Sequence, residues 1–416
     1  MTDTSNAMDV LIVGAGHAGA QAALMLRKLG FAGAVALAGA EADPPYERPP
    51  LSKAYLAGEE PFERMLMRPK EAWAELNIDL LPGRKIVAVD PAAHEARCEN
   101  GERITYGKMI WAAGGTPRRL PAPGGDLAGI HVIRMRADVD AIRAELGGAN
   151  NIVIIGGGYI GLEAASVLVG MGKRVCVLEA QDRLLARVAG PALSDFYEGE
   201  HRSRGVDIRL GAKVDAIIEQ GGRPAGVRLA GGADLPADLV IVGIGIAPEV
   251  EPLIAAGAEG ALGGVKVDEF CRTSLPDIYA AGDCAAHANR HAGGAVIRLE
   301  SVQNAHDQAA AAAAAIAGSP KPYDAVPWFW SDQYDLKLQT AGLSTGHDQA
   351  LVRGDPDSRS FSVVYLKNSR VIALDCVNAT RDYAQGRRLV STGGVCDLNL
   401  LTDPDVPLYK PPVRKG

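Results

Sequence analysis

Cysteine is scarce and unpatterned in this chain. Its 416 residues include six (Cys98, Cys176, Cys271, Cys284, Cys376 and Cys396), scattered, with no C-x-x-C and no C-x-x-x-x-C. No disulfide framework is legible, and no closely spaced dithiol is available for redox relay. Long hydrophobic runs are missing too. The apolar stretch Val10–Ala15 runs straight into glycines, far short of the ~20 residues that a membrane-spanning helix needs. The alanine run Ala309–Ala315 favours helix but carries little hydrophobic payload, and reads as a small-faced helix packed closely on a neighbour. No secretory signal is evident, so the expected compartment is the cytoplasm, with no membrane partner. Positive charge is in deficit. Forty-three Lys and Arg against 50 Asp and Glu leave a net charge of −7, which argues against a nucleic-acid surface but allows a local basic patch for an acidic protein partner.

An apolar fraction of 47% and a charged fraction of 22% exclude wholesale disorder, and the length predicts two or three domains. The N-terminus reads strand, glycine turn, helix: Asp9–Val13, then Gly14-Ala-Gly16-His-Ala18-Gly19, then a helical pattern over Ala18–Leu29 and a strand at Ala34–Ala38. In G-x-G-x-x-G after a strand, the first glycine makes the tight turn and the second lets backbone approach a pyrophosphate. The third lets the helix pack on the strand, and the helix N-terminus turns free N–H groups toward the phosphates. The unit recurs: strand Asn151–Ile155, Gly156-Gly-Gly158-Tyr159-Ile160-Gly161, helix Tyr159–Met171, strand Arg174–Leu178 and then Glu179. A carboxylate at the end of that second strand accepts from a ribose diol and repels a 2′-phosphate, so Glu179 favours NADH over NADPH, with Arg183 close enough to soften the choice. In the first unit the acid is less well placed. Glu41 in Gly39-Ala-Glu41 is either the ribose contact or a surface glutamate.

Short strands are expected at Asp207–Leu210, Val214–Glu219, Gly226–Leu229, Leu239–Val242 and Asp277–Ala281, and a helix from Ser301 through the alanines. After Pro320 the pattern changes to strands at Leu336–Leu343, Ser360–Leu366 and Arg370–Val377 with a helix over Thr380–Leu389. The fold class is α/β: two Rossmann-like dinucleotide-binding domains plus a small α+β C-terminal domain.

Further motifs bring a resemblance. Ile278-Tyr-Ala-Ala-Gly282-Asp283 and Trp111-Ala-Ala-Gly114-Gly115-Thr-Pro117 look like the flavin and domain-linking motifs of pyridine-nucleotide-linked FAD oxidoreductases. Pro45-Tyr-Glu-Arg-Pro-Pro-Leu-Ser-Lys53, Gly156–Glu163, Glu300-Ser-Val-Gln-Asn-Ala305 and Pro327-Trp-Phe-Trp-Ser-Asp-Gln333 resemble the narrower group of ferredoxin reductases of putidaredoxin reductase type. The resemblance covers nearly the whole chain. It implies FAD as bound cofactor and NADH as substrate, a discontinuous FAD-binding domain (residues 1–115 and 248–320), an NADH-binding domain (116–247) and a C-terminal domain (321–416). It implies FAD contacts at Gly14, Gly16, Ala18, Gly19, Glu41, Lys53, Arg134, Asp283, Glu300 and Val302. It implies NADH contacts at Gly156, Gly158, Tyr159, Ile160, Gly161, Glu163 and Glu179. Lys53 and Glu163 then form a catalytic pair beside the flavin, although Lys53 alone reads as a surface lysine after a proline turn. Trp328 and Trp330 either shield the flavin and bridge toward an acceptor, or pack core.

Relatives that reduce disulfides use a redox-active cysteine near the flavin. Here only Cys284 follows a flavin motif, so electrons are expected to pass directly to an outside one-electron acceptor, a 2Fe–2S ferredoxin. Its expected client is a bacterial cytochrome P-450 monooxygenase. The alternatives are a ring-hydroxylating dioxygenase or rubredoxin system, an NADH oxidase, and an NADH-sensing flavoprotein of the apoptosis-inducing-factor kind. The helix after Asn304 carries alanines where some relatives have basic residues, so docking is expected to rely on apolar contact; the protein is expected as a monomer or weak dimer. Cys284, His287 and His291 spell C-x-x-H-x-x-x-H without an evident fourth ligand, and no metal is expected.

Overall fold

The computed structural model describes residues 7–393 and 401–409, which leaves Cys396 outside the described residues. The chain divides into two compact units. The first comprises Met1–Arg48, Phe62–Thr116 and Ala247–Pro327; the second comprises Pro49–Pro61, Pro117–Ile246 and Trp328–Gly416. Each is discontinuous in sequence, and the short Pro49–Pro61 segment belongs to the second.

In the first unit, strand β1 (Ala7–Val13) lies between β2 (Val35–Ala38) and the Arg103–Trp111 strand, parallel to both. Ile78–Leu81 extends the parallel sheet beyond β2, and Ile278–Ala280 extends it beyond Arg103–Trp111. Val10, Leu11 and Ile12 are all fully buried, so both faces of β1 are covered, as a central parallel strand requires. Helix α1 (His17–Lys28) buries Ala20, Ala22, Ala23 and Leu26 in one cluster with Ala309, Ala311, Ala312 and Ala313 of the Val302–Ile316 helix. The neighbour that the alanine run packs on is therefore α1, and small side chains on both helices allow the close approach.

The second unit has a five-stranded parallel sheet in the order Asp207–Arg209, Arg174–Leu178, Asn151–Ile155, Leu239–Val242, Ile130–His131. Its C-terminal part is an antiparallel five-stranded sheet, Trp328–Gln333, Leu336–Gly342, Arg370–Val377, Ser360–Lys367, Gln349–Asp355, with the Thr380–Thr392 helix beside it. Gly386 of that helix sits where a Cβ would fall 2.5 Å from a Leu374 methyl, so helix and sheet touch backbone to side chain. No helix of the described residues is long and apolar enough to cross a membrane.

Some elements escape the hydrophobic pattern. The Pro191–Ser203 helix anchors itself through Leu193, Tyr197 and His201, one residue per turn, and the polar His201 hides the period. Trp328–Gln333 does not alternate, and becomes a strand because Leu336–Gly342 pairs with all six of its residues.

One buried acid gives the second unit a pH dependence. Asp375 accepts from the Tyr365 hydroxyl at 2.7 Å and is otherwise enclosed, and burial pushes its carboxyl up to about 7 from the usual 3.8. The stability of the neutral carboxyl is fully present below pH ~4 and is lost as pH rises through ~7. Asp375→Asn removes that loss. Its stability relative to the parent protein is expected to rise by on the order of a few kcal/mol between pH 5 and pH 8, measured by denaturant unfolding at both. A difference that stays flat with pH would show that Asp375 is ionised throughout.

Candidate functional site

The first glycine turn has the backbone that a diphosphate needs. Gly14 has φ +107°, and a Cβ there would lie 2.3 Å from the Ala112 carbonyl; a Cβ on Gly19 would lie 1.9 Å from the Gly14 carbonyl. No side chain caps α1 at Gly16, so its first amides remain available to an anion. The open side of Gly16 meets only the Arg48 guanidinium, at 3.8 Å. Arg48 is paired with Glu41 at 2.7 Å, and Tyr46 donates to the other Glu41 oxygen at 2.6 Å. Burial pulls the Arg48 guanidinium down, and Tyr46, Glu41 and Asp283 more than reverse this, so it stays a cation. Arg48 went unrecognised among the candidate residues; its only signal was its place between two prolines and an acid in the Pro45–Lys53 run. His17, within the turn, meets Glu47 at 2.7 Å, and that hydrogen bond is the main force lowering the Glu47 carboxyl.

The Gly282-Asp283 turn is tied to the Val302–Ile316 helix of the same unit. Gly282 N–H donates to Gln308 at 2.8 Å, and Arg298 donates to the Asp283 carbonyl and pairs with Glu300, both at 2.7 Å. Ser301 caps the helix by accepting from Asn304 N–H. Cys284, His287 and His291 do not act together. The Cys284 thiol faces the Ala281 and Trp111 carbonyls and is pushed up to about 11 by burial, while His287 is bonded to Asn289 and Gln308. The first unit thus holds Gly14, Gly16, Ala18, Gly19, Glu41, Asp283, Glu300 and Val302.

The second turn repeats the geometry. Gly156 has φ +114° with a Cβ position 2.4 Å from the Gly243 carbonyl, and Gly161 has one 2.3 Å from the Gly156 carbonyl. Gly158 faces open space. The Glu179 carboxylate accepts from Gly157 N–H at 2.7 Å and Gln181 N–H at 2.8 Å, which stations it at the edge of the turn. Arg183 is held by the Ala186 and Ala189 carbonyls and by Ser194, so its charge is committed locally. Tyr159 packs on Phe329 at 4.7 Å between ring centroids, and Ile160 is exposed.

Beside this turn, on the helix it opens, Glu163 is 4% exposed and receives Lys53 Nζ at 2.7 Å, Ser52 Oγ at 2.5 Å and Ser331 Oγ at 2.6 Å. The two serines were not among the expected residues, since nothing local in their sequence points at Glu163. Arg134 enters the Arg136–Leu146 helix, its backbone N–H donating to Asp138. Trp328 and Trp330 are half-buried neighbours, 5.6 Å between rings, with the Arg387 guanidinium 5.7 Å over Trp328.

Residues 8–309 match the model of the pyridine nucleotide-disulphide oxidoreductase family. The chain belongs to that family. Residues 328–411 match a second model, the reductase C-terminal domain. As a member of the family the protein is an FAD-dependent oxidoreductase that uses a nicotinamide nucleotide, and its two glycine turns fit two diphosphates. It is 58% identical to the 5,5′-dehydrodivanillate O-demethylase ferredoxin reductase subunit of Sphingobium sp., over 98% of this chain and 99% of that one. Among solved structures it is similar to putidaredoxin reductase in its covalent complex with putidaredoxin (TM-score 0.93, 39% identity, 96% and 97% of the two chains). It is also similar to the ferredoxin reductase for the CYP199A2 system from Rhodopseudomonas palustris (TM-score 0.92, 38% identity, 96% and 97%).

Proposed function

We propose that the protein is an NADH:ferredoxin reductase. The first unit would hold FAD through the Gly14–Gly19 turn, with Arg48 as counter-charge and Asp283, Glu300 and Val302 as further contacts. The second would hold NADH through the Gly156–Gly161 turn, with Glu179 accepting from the adenosine ribose diol. Bound FAD supplies the conversion of a two-electron hydride into single electrons. The residues supply placement and field: Lys53 brings positive charge toward the flavin, Glu163 holds it, and helix N-termini face the phosphates.

The observation that carries this reading is the pairing of two phosphate-binding turns with the absence of C-x-x-C and C-x-x-x-x-C from the chain. Cys284 is buried, with its thiol raised to about 11, and offers no relay. Electrons therefore leave for an outside acceptor; the relatives named as ferredoxin reductases favour a ferredoxin, and the single-electron release of a reduced flavin suits one of the 2Fe–2S kind. For the ferredoxin's client, the likeness to a CYP199A2-system reductase supports a cytochrome P-450 monooxygenase, and the 58% relative weighs toward an O-demethylase. The purified flavoprotein, offered NADH or NADPH and a panel of ferredoxins and rubredoxin, is expected to bleach with NADH and reduce a 2Fe–2S ferredoxin fastest. Failure of both nucleotides to bleach it, or a long-lived reduced state that no ferredoxin discharges, would refute the reading.

A further inference from the structure

Glu163 is the inner end of a hydrogen-bond chain through the second unit. Its Oε1 accepts from Ser331 Oγ at 2.6 Å, Ser331 Oγ accepts from Gln333 Nε2 at 3.1 Å, and Gln333 Oε1 meets His201 Nε2 at 2.8 Å. His201 Nδ1 meets the Tyr334 hydroxyl at 2.9 Å. His201, Gln333 and Ser331 are each fully buried, and the Arg204 guanidinium stacks on the Tyr334 ring at 4.3 Å, closing the outer end.

The chain has one direction. A carboxylate paired with Lys53 only accepts, so the Ser331 O–H must point at Glu163. The Ser331 lone pairs then require the amide nitrogen of Gln333, which turns the Gln333 oxygen toward His201. His201 must therefore carry its proton on Nε2, leaving Nδ1 to accept from Tyr334. Burial lowers His201 from its usual 6.5, with Gln333 and Glu200 raising it and Arg204 lowering it, and burial raises the Tyr334 phenol to about 12. Both groups thus hold the protonation states that this direction needs. Donors aligned head to tail strengthen one another, and the whole series ends on one carboxylate.

We propose that Ser331, Gln333 and His201 are positioning residues for the Lys53–Glu163 pair, holding the carboxylate at one orientation so that the Lys53 ammonium stays at one place. The proposal rests on the reading that this pair serves hydride transfer. Ser331 anchors the oxygen that Lys53 does not touch; without it the carboxylate can rotate and carry the ammonium with it.

The test is stopped-flow reduction of the FAD-loaded enzyme by NADH, combined with ¹⁵N NMR of the histidine rings. Ser331→Ala is expected to slow the limiting rate about 5- to 10-fold and Gln333→Met about 3-fold, with NADH affinity unchanged and Ser331→Thr close to the parent. In a Glu163→Ala background, Ser331→Ala should add less than about 1.5-fold, because its effect runs through Glu163. His201 should show a single Nε2–H tautomer, lost in Gln333→Met. A slow Glu163→Ala beside unaffected Ser331→Ala and Gln333→Met overturns this proposal alone, as does additivity in the double variant or an Nδ1–H tautomer in the parent. Unaffected Lys53→Met and Glu163→Ala would instead sink the catalytic-pair reading. Should Ser331→Ala fail to fold, Gln333→Met carries the same comparison one link further out.

Discussion

Gly161→Val is expected to give a protein that keeps its flavin but is no longer bleached by NADH. A Cβ at this position would lie 2.3 Å from the Gly156 carbonyl and 3.3 Å from Ile154; Ile154 is paired within the sheet, and Gly156 is tied to it by its N–H donating to the Leu178 carbonyl at 2.8 Å. The helix that starts at Tyr159 would have to lift from its strand, taking with it the amides that, under the proposed function, face the NADH phosphates. Misplacement of that kind costs about 100-fold or more in hydride transfer. The Gly14 turn belongs to the other unit and keeps its own contacts, so the flavin-to-protein ratio should not change. Stopped-flow reduction with NADH, checked against chemical reduction by dithionite, reads both quantities. If the variant instead loses its flavin while still binding NADH, the two turns have been assigned the wrong way round.

The second large effect is expected from Lys53→Met. The substitution keeps an unbranched apolar stem of similar length and removes the charge. Under the proposed function, negative charge arriving at the flavin then loses the positive charge that Lys53 supplies, so the limiting rate of reduction should fall roughly 10- to 100-fold and the flavin midpoint potential should drop. NADH affinity should stay within about 2-fold, because the Gly156 turn and Glu179 are untouched. The variant also leaves Glu163, 4% exposed, without its counter-ion, which destabilises the fold by about 3–5 kcal/mol when a buried pair is broken. Lys53→Met combined with Glu163→Gln separates the two consequences. The double variant should recover most of the lost melting temperature and none of the lost rate. Recovery of rate along with stability would mean that Lys53 acts only as a structural partner.

The glycines and the strands around them were open to reading because their demands are local. Gly14 and Gly156 need φ values of +107° and +114°, and Gly19 and Gly161 need the absence of a Cβ, so residue type alone reports the backbone. The place of Glu179 at the edge of the second turn was legible for the same reason: it closes a buried strand that a glycine turn precedes. The Trp328–Gln333 strand was not legible, since its composition does not alternate and only its partner strand makes it a strand. Arg48 was visible only as part of a family run, because its meaning lies in facing Gly16 and Glu41 across a fold of the chain.

By itself, then, the sequence determined the α/β class, the two strand–glycine turn–helix units, the family and the lack of any C-x-x-C or C-x-x-x-x-C pair. Those properties follow from short segments whose sterics and spacing are self-contained. The tertiary structure decided how Glu163 is held. Ser52 lies 111 residues from it and Ser331 lies 168, and no local pattern encodes which hydroxyl will meet which carboxylate. Such partners are chosen by packing, where a buried charge must find every donor within reach, and only the folded chain shows which donors those are.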